Sequence, residues 1–239
     1  MKYLRHHAAS VLILPSGRER DDVLLAIYDN GYPVKAFRNH YNFIGGNTQK
    51  DASPLDTLKR ELQEEFNSTS TDSTETAGSI FGLKSPQAYV RNDSYLAGRR
   101  YVDLELMQEL RNAVIKNIVT YNDFLVGLKK EYMDTEKDLK EITSVFLSEI
   151  DNELFNRIGL ELKDGKQITN EGFARIVTSE ELKSGNPRGA WGYSTMIGNI
   201  LGIKVPEYDF IDVTSLNQKP KQSYKEYKSE FEYERNPEA

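Results

Sequence analysis

The helix start at Ser53 constrains this chain more tightly than any other feature of its sequence. Ser53 suits the N-cap, Pro54 suits the first helical position, and Asp56 lies three residues after the cap. Apolar residues then recur at spacings of three, four and four, at Leu55, Leu58, Leu62 and Phe66. Such a stripe covers one face of a helix, so the sequence predicts an amphipathic helix that packs on a core.

Short runs of strand-forming residues flank this helix on both sides. Strands are predicted over residues 6–14, 22–28, 42–46, 142–150 and 173–177, with further candidates at 79–90 and 94–102. A capped helical turn is predicted at 178–182 and a last core helix at 189–201. The mixture of strands and helices is typical of the α/β and α+β classes.

A second apolar seam runs from Asp103 to Tyr132. Its members recur at spacings of three and four residues, at Met107, Leu110, Val114, Ile118, Tyr121, Leu125 and Leu128. This period is close to 3.5 and predicts one long helix, followed by a shorter one over 134–141. Two interpretations stay open: a helix packed on its own domain, or a dimerisation or lid helix. The polar stretch 67–79 reads as a loop.

Composition excludes several classes of protein. The chain has no cysteine, which rules out disulfides, thiolate zinc sites, iron–sulfur clusters and a cysteine nucleophile. No stretch approaches about 18 consecutive apolar residues, and the first residues lack a secretory signal, so we expect a cytoplasmic protein without membrane spans. With 31 basic and 37 acidic residues the net charge is −6, so duplex nucleic acid is not an expected partner.

Three carboxylates lie together on the predicted helix. Glu61, Glu64 and Glu65 fall beside the apolar stripe, one turn apart or less. Like charges at these spacings repel each other, and the negative end of the helix dipole disfavours them. A solvated acidic face is one interpretation. The other is a site for Mg²⁺ or Mn²⁺, which prefer oxygen ligands, beside a glycine turn at 45–46 that lets the backbone approach a ligand.

This segment resembles the box of the Nudix superfamily, whose pattern is G-x5-E-x7-R-E-U-x-E-E-x-G-U with U a bulky apolar residue. The matching residues are Gly46, Arg60, Glu61, Leu62, Glu64 and Glu65. Three positions depart from the pattern: Ala52 replaces a supporting glutamate, Asn67 replaces the glycine, and Ser68 replaces the last apolar residue. Asp51 is adjacent to Ala52 and is a candidate substitute for the missing acid.

The resemblance covers residues 5–66 and 142–202 and implies an α/β/α sandwich with a mixed sheet. On this interpretation residues 1–239 form a single domain, with a helical insertion at 68–141 and a tail at 217–239. Because Nudix enzymes are often dimers, the insertion helix is a candidate homodimer contact.

The resemblance also implies an activity and assigns residues to it. Glu61, Glu64, Glu65 and the carbonyl of Gly46 would bind Mg²⁺ or Mn²⁺, and Arg60 would orient the carboxylates. The implied function is a Mg-dependent pyrophosphohydrolase that cleaves a nucleoside diphosphate linked to another moiety: a nucleoside triphosphate, a nucleotide sugar or a dinucleotide. Metal-activated water would attack phosphorus.

Other residues are candidates for the rest of such a site. Glu171 is the first choice for a further catalytic acid or base, ahead of Glu149 and Glu153. Arg38 and His40 could reach a substrate phosphate, and so could Arg91, Arg99 and Arg100. Tyr41 and Phe37 are candidates for stacking on a base or for packing, and Trp191 is expected to anchor the last helix in the core.

Two competing functions remain. The departures at Ala52 and Ser68 motivate a catalytically silent Nudix-like module that binds nucleotides or regulates a partner, although all three carboxylates are retained. An isomerase that acts on isopentenyl diphosphate, also found on this fold, is associated with a cysteine, which this chain lacks.

Overall fold

The computed structural model describes residues 6–17, 22–28, 30, 32, 35–66, 103–128, 139–162, 172–208 and 211–216. The strands are β1 (His6–Pro15), β2 (Val23–Tyr28), β3 (Tyr41–Asn42), β4 (Ile44–Asn47), β5 (Ile118–Leu128), β6 (Leu139–Ile150), β7 (Gly172–Val177) and β8 (Ile211–Ser215). The helices are α1 (Pro54–Phe66), α2 (Leu104–Lys116), α3 (Asn152–Leu162), α4 (Ser179–Ser184) and α5 (Tyr193–Leu201). A short 3-10 turn covers Lys35–Phe37.

These strands form one mixed sheet. Its order is β3-β2-β1-β6-β5-β8, with β4 paired to β1 and β7 paired to β2. β1 runs parallel to β6, and the other pairs are antiparallel. The predicted α/β class with a mixed sheet is therefore confirmed. None of the helices in the described part of the chain has the length and apolar character needed to span a membrane.

Helices cover both faces of the sheet, because strand β1 is apolar on both sides. Ala9, Val11 and Ile13 of β1 point into a core that also contains the apolar sides of α1, α2 and α3. Leu12 and Leu14 point the opposite way, into a second core with α4 and α5. A strand buried on both faces reads as a nearly continuous apolar run, and residues 8–14 are apolar apart from Ser10, which is also buried.

The predicted start and stripe of α1 are both confirmed. The Ser53 hydroxyl accepts a hydrogen bond from the Asp56 amide at 3.1 Å and donates one to the Asp56 carboxylate at 2.8 Å. The four residues of the stripe are at most 6% exposed, at Leu55, Leu58, Leu62 and Phe66. The orientation of α1, and therefore of the acidic residues beside its stripe, is set by this burial.

The prediction of one long helix from Asp103 to Tyr132 is wrong. Helix α2 ends at Lys116, where the Asn117 amide donates to the Ala113 carbonyl, and β5 then pairs with β6 along residues 118–128. β-branched residues at Ile118, Val119 and Thr120 favour a strand, and pairing with β6 outweighs the helical spacing. The shorter predicted helix is also wrong at its end, since residues 139–141 begin β6; residues 134–138 lie outside the described part.

Only the first half of the predicted seam is a helix face, and it packs on its own domain. Met107, Leu110 and Val114 are buried in the core shared with α1, and Tyr121 reaches that core from β5. The proposed homodimer contact required a continuous helix through Ile118 and Leu125. Because these residues belong to a strand of the central sheet, the described residues do not form the continuous helix on which this contact was based, and dimerisation itself stays a prediction.

Two elements were not predicted. Helix α3 carries buried residues at Leu154, Phe155, Ile158 and Leu162, a helical spacing that is visible in the sequence. Strand β8 extends the sheet at β5. Helix α5 begins at Tyr193, four residues later than predicted. The predicted loop at 67–79, the strand candidates at 79–90 and 94–102, and most of the tail lie outside the described residues.

The turn into α4 is fixed by a reciprocal capping box. The Thr178 hydroxyl accepts from the Glu181 amide, and the Glu181 carboxylate accepts from the Thr178 amide at 2.9 Å. Arg175 of β7 adds an ion pair to Glu181 at 2.7 Å. Burial alone would raise the pKa of Glu181, but the Thr178 and Arg175 contacts outweigh it and lower that pKa.

This lowered pKa predicts how stability depends on pH. The ionised Glu181 stabilises the folded state above the ordinary glutamate pKa of about 4.3, and this contribution is lost as pH falls through the lower folded-state pKa. We therefore expect Glu181→Gln to lower the melting temperature at pH 7 and to differ less from the wild type at pH 3. A difference that stays the same at both pH values would contradict the assignment.

Candidate functional site

The candidate site lies where β4 ends against β1 and the chain turns into α1. Gly46 is paired with Ala9 of β1, and the loop 48–53 connects it to the helix. The Glu61 carboxylate lies directly over Gly46: a Cβ on Gly46 would be 2.4 Å from Oε2 of Glu61. Glycine is needed here for space, so that a helix carboxylate can reach the strand backbone.

Arg60 connects the loop, the strand end and the acidic residues. Its Nη1 lies 2.7 Å from Oε1 of Glu61 and 3.1 Å from Oε2 of Glu64. Its Nη2 donates to the Asn47 carbonyl at 2.7 Å and to Oδ2 of Asp51 at 3.0 Å. Burial alone would lower the pKa of the guanidinium, but Asp51, Glu61 and Glu64 outweigh it and raise that pKa.

Asp51, the candidate substitute for the acid missing at Ala52, contacts Arg60 in the structure. Its carboxylate accepts hydrogen bonds from Nε and Nη2 of Arg60, from the Thr57 hydroxyl at 3.0 Å and from the Gln49 amide at 3.2 Å. The contact with Arg60 is the main reason why the pKa of Asp51 is lowered. Ala52 itself is exposed. The loop acid that contacts Arg60 is therefore Asp51, one position before Ala52.

The three carboxylates have different surroundings. Glu61 is 8% exposed, the side chain of Glu64 is 50% exposed, and Glu65 is half-buried. Within the described ranges, no group of three or more acidic or histidine side chains is arranged to hold a metal ion. Two of the acids instead face Arg60, which removes much of the repulsion expected from the sequence.

The residue types still fit a hard divalent cation. Carboxylate oxygens with a nearby backbone carbonyl are the ligands that Mg²⁺ and Mn²⁺ prefer. Gly46 brings the strand backbone against Glu61, and Glu64 is open to solvent on the next turn of the helix. Such an ion would compete with Nη1 of Arg60 for the oxygens of Glu61 and Glu64.

Close contact between Gly46 and Glu61 gives a test of this geometry. Gly46→Ala adds a methyl that overlaps Oε2 and Cδ of Glu61, so the carboxylate must move. We expect the variant to fold, because a side-chain end can give way, and to bind Mg²⁺ at least about tenfold more weakly by calorimetry. Glu61→Asp in the same chain shortens the acid and should relieve the overlap. Unchanged metal affinity in Gly46→Ala would contradict the site.

The predicted phosphate-binding residues Arg38 and His40 make hydrogen bonds within the loop between β2 and β3. Nε of Arg38 donates to the Tyr32 carbonyl at 2.8 Å, and Nδ1 of His40 donates to the Arg38 carbonyl at 2.8 Å. Glu149 is half-buried on β6, and Glu153 is exposed at the start of α3. The remaining candidates lie outside the described residues, namely Glu171, Arg91, Arg99 and Arg100.

The predicted aromatic candidates differ in their burial. Tyr41 and Phe37 are buried, and the Tyr41 hydroxyl bonds to Ser194; burial raises the pKa of Tyr41 to about 12. Trp191 does not anchor α5 in the core as predicted. It lies in the turn before that helix, half-buried, with its ring 4.3 Å from that of Phe37.

Comparisons of the chain with family models, with curated proteins and with solved structures found no match. A functional inference therefore depends on the geometry around Arg60 and on the sequence of α1 and the loop before it.

Proposed function

We propose that this protein is a Mg²⁺- or Mn²⁺-dependent hydrolase of a phosphoric anhydride bond in a nucleoside diphosphate-linked substrate. The observation that carries the proposal is the Arg60 network. One guanidinium joins the loop acid Asp51, the Asn47 carbonyl and two helix carboxylates, Glu61 and Glu64, beside a glycine that admits the acid to the backbone. A solvated acidic helix face does not need such a network.

Each residue has a distinct task in this proposal. Glu61, Glu64 and Glu65 would hold the cation with the Gly46 carbonyl, and Arg60 would orient the carboxylates of Glu61 and Glu64 through charge-assisted hydrogen bonds. Asp51 holds Arg60 against the loop. When bound, the cation neutralises phosphate charge and lowers the pKa of a water that attacks phosphorus. No residue is assigned as the general base, because Glu171, the first candidate for it, lies outside the described residues.

A substrate panel tests the proposal directly. Nucleoside triphosphates, nucleotide sugars and dinucleotides are incubated with the protein and Mg²⁺, Mn²⁺ or EDTA, and products are identified by mass spectrometry. We expect metal-dependent release of a nucleoside monophosphate or of pyrophosphate from at least one class. Mg²⁺ should also raise the melting temperature, because a ligand that binds only the folded state stabilises it. The absence of both product and thermal shift, with Mg²⁺ and with Mn²⁺, would contradict the proposal.

One observation favours the alternative of a catalytically silent nucleotide-binding or regulatory module. Nη1 of Arg60 already contacts both Glu61 and Glu64, and within the described ranges no group of three or more acidic or histidine side chains is arranged to hold a metal ion. A silent module would bind nucleotides without turnover and without a requirement for divalent cations. Calorimetry with a nucleoside diphosphate in EDTA, run beside the hydrolysis panel, separates the two functions.

A further inference from the structure

A third apolar cluster adjoins the second core, with which it shares the half-buried Val126 and Val213. Tyr28, Phe37, Ala190 and Ile211 form its buried part, and Tyr32, Trp191 and Tyr208 pack against it half-exposed. We call this group, together with His40, the aromatic cluster. The rings lie close to one another: 3.7 Å between the centroids of Tyr28 and Tyr32, and 4.3 Å between those of Phe37 and Trp191. Besides strands β2 and β8, its residues come from three connecting segments, of which the structure describes residues 32, 35–40, 188–192 and 203–208.

The backbone is held in an uncommon conformation at this cluster. Within the described ranges, the non-glycine residues with positive φ are Asn39, at 61°, and Trp191, at 50°. Asparagine tolerates this region, whereas a bulky residue there is a genuine outlier. Such conformations persist only where the surroundings impose them, and they concentrate at binding sites. The Tyr41 amide donates to the Arg188 carbonyl, and the Ala190 amide donates to the Tyr41 carbonyl. These two hydrogen bonds fix the segment that leads into Trp191.

Polar groups at the rim of the cluster offer both charge and hydrogen bonds. The exposed Arg188 guanidinium lies 5.3 Å from the centre of the Tyr208 ring. His40 stands beside the same ring at 5.6 Å, and because its Nδ1 donates to a carbonyl, Nε2 is the acceptor of the neutral ring. Lys35 is exposed at the start of the loop that carries Arg38. Two exposed acids are sequence neighbours of cluster residues: Glu207 precedes Tyr208, and Asp212 follows Ile211.

We propose that the aromatic cluster binds the base of a nucleoside phosphate, with the base against Trp191 and the phosphate toward Arg188. The assignment of the ligand as a nucleotide rests on the proposed function, whereas the binding surface itself does not. Aromatic side chains accept any base because every base has a π-face, and arginine adds cation–π and phosphate contacts. A polar acceptor at His40 supplies a partner for an amino group at the edge of the base.

The two sites are connected by one extended segment. Tyr41 pairs with Gly189 beside the aromatic cluster, and the chain from Tyr41 runs through β3 and β4 to Gly46 beneath Glu61. An extended chain advances by at most about 3.4 Å per residue. Because Gly46 is five residues after Tyr41, the backbones of these two residues lie within roughly 17 Å of each other.

The single tryptophan of the chain makes the test specific. Because Trp191 is the only one, fluorescence excited at 295 nm reports this cluster and nothing else. The protein is titrated in EDTA with the four nucleoside monophosphates, and in parallel with ribose 5-phosphate and inorganic phosphate. We expect saturable quenching by at least one nucleotide and none by the two phosphates without a base. Arg188→Gln should weaken this binding about threefold to tenfold. Arg157→Gln, which changes an exposed arginine on α3, should leave it unchanged.

Each outcome decides one of the two proposals. No saturable quenching by any nucleotide up to millimolar concentration, or an equal response to ribose 5-phosphate, would overturn the inference. Equal affinity in the Arg188→Gln and Arg157→Gln proteins would overturn the role of Arg188. Hydrolysis with Mg²⁺ but no quenching would support the proposed function and overturn the base-binding site. Quenching without hydrolysis would support the base-binding site and contradict the proposed function. Trp191→Ala, followed by calorimetry and a melting curve, checks that the signal reflects binding at this ring.

Discussion

Exchange of Glu64 for glutamine is expected to lower metal-dependent turnover about 100-fold or more while leaving the protein folded. The side chain is half exposed, and its contact with Arg60 at 3.1 Å is a surface ion pair, which contributes at most about 1 kcal/mol to stability. A missing ligand, in contrast, removes several kcal/mol of transition-state stabilisation, and each 1.36 kcal/mol is a factor of ten in rate. Glu65→Gln should behave in the same way. The measurements are steady-state turnover at saturating Mg²⁺ and the melting temperature with and without metal.

Helix α2 offers a matched control for this substitution. Glu109 is 48% exposed and forms an ion pair with Arg157 at 3.1 Å, so Glu109→Gln removes the same charge from the same kind of surroundings. It should change neither turnover nor the thermal shift with Mg²⁺. Full activity at saturating substrate in both Glu64→Gln and Glu65→Gln would mean that these carboxylates are not the metal site.

Asp51→Ala is expected to lower turnover about 10- to 100-fold, the usual range for a partner that orients a metal ligand. The substitution removes the loop contact of Arg60 but leaves Glu61, Glu64 and the Asn47 carbonyl in place. Arg60 is then held from fewer directions, so the effect should fall on metal affinity and turnover more than on folding. Metal titrations by calorimetry at constant pH, together with the melting temperature, separate these contributions.

Ala52 provides the comparison that identifies the role of Asp51. Ala52→Glu in the wild-type background should be tolerated, since the position is exposed. In the Asp51→Ala background the same change restores an acid one residue further along the loop and should recover part of the metal affinity. Wild-type turnover in Asp51→Ala would show that Arg60 needs no loop acid. Turnover that appears only when Ala52→Glu is present would favour the silent module over the enzyme.

The sequence predicted those parts of the fold whose local signals agree with their tertiary contacts. The capped start of α1 and its buried stripe follow from Ser53, Pro54 and the spacing of Leu55, Leu58 and Leu62, because cap chemistry and burial favour the same helix. At residues 118–128 the spacing of apolar residues led to a wrong prediction of a helix, where the structure has β5. Tyr121 and Leu125 are four residues apart, so they share a face in a strand as well as in a helix. Pairing with β6, a partner distant in sequence, decided between the two.

The candidate site was predictable in its residue types and less so in its arrangement. The carboxylates on α1 and the glycine before it lie on a local motif, and their proximity follows from helix geometry. The ion pairs of Arg60 with Glu61 and Glu64 depend on how the loop 48–53 presents Asp51 and the Asn47 carbonyl. Trp191 was assigned to the core because it is large and apolar. Its placement depends on contacts between segments that are distant in sequence, which no local pattern records.

The parallel pairing of β1 with β6 has a consequence for how the chain folds. Ala9 and Ser144 are paired at the centre of the sheet but are more than 100 residues apart in sequence. Contacts of such separation slow folding, because the ends of a long loop must meet before any contact rewards them. During synthesis at ~5–20 residues per second, β1 emerges roughly 7–27 s before its neighbour. Throughout that interval one edge of an apolar strand has no partner from β6, so the nascent chain has a defined window in which a chaperone would act on it.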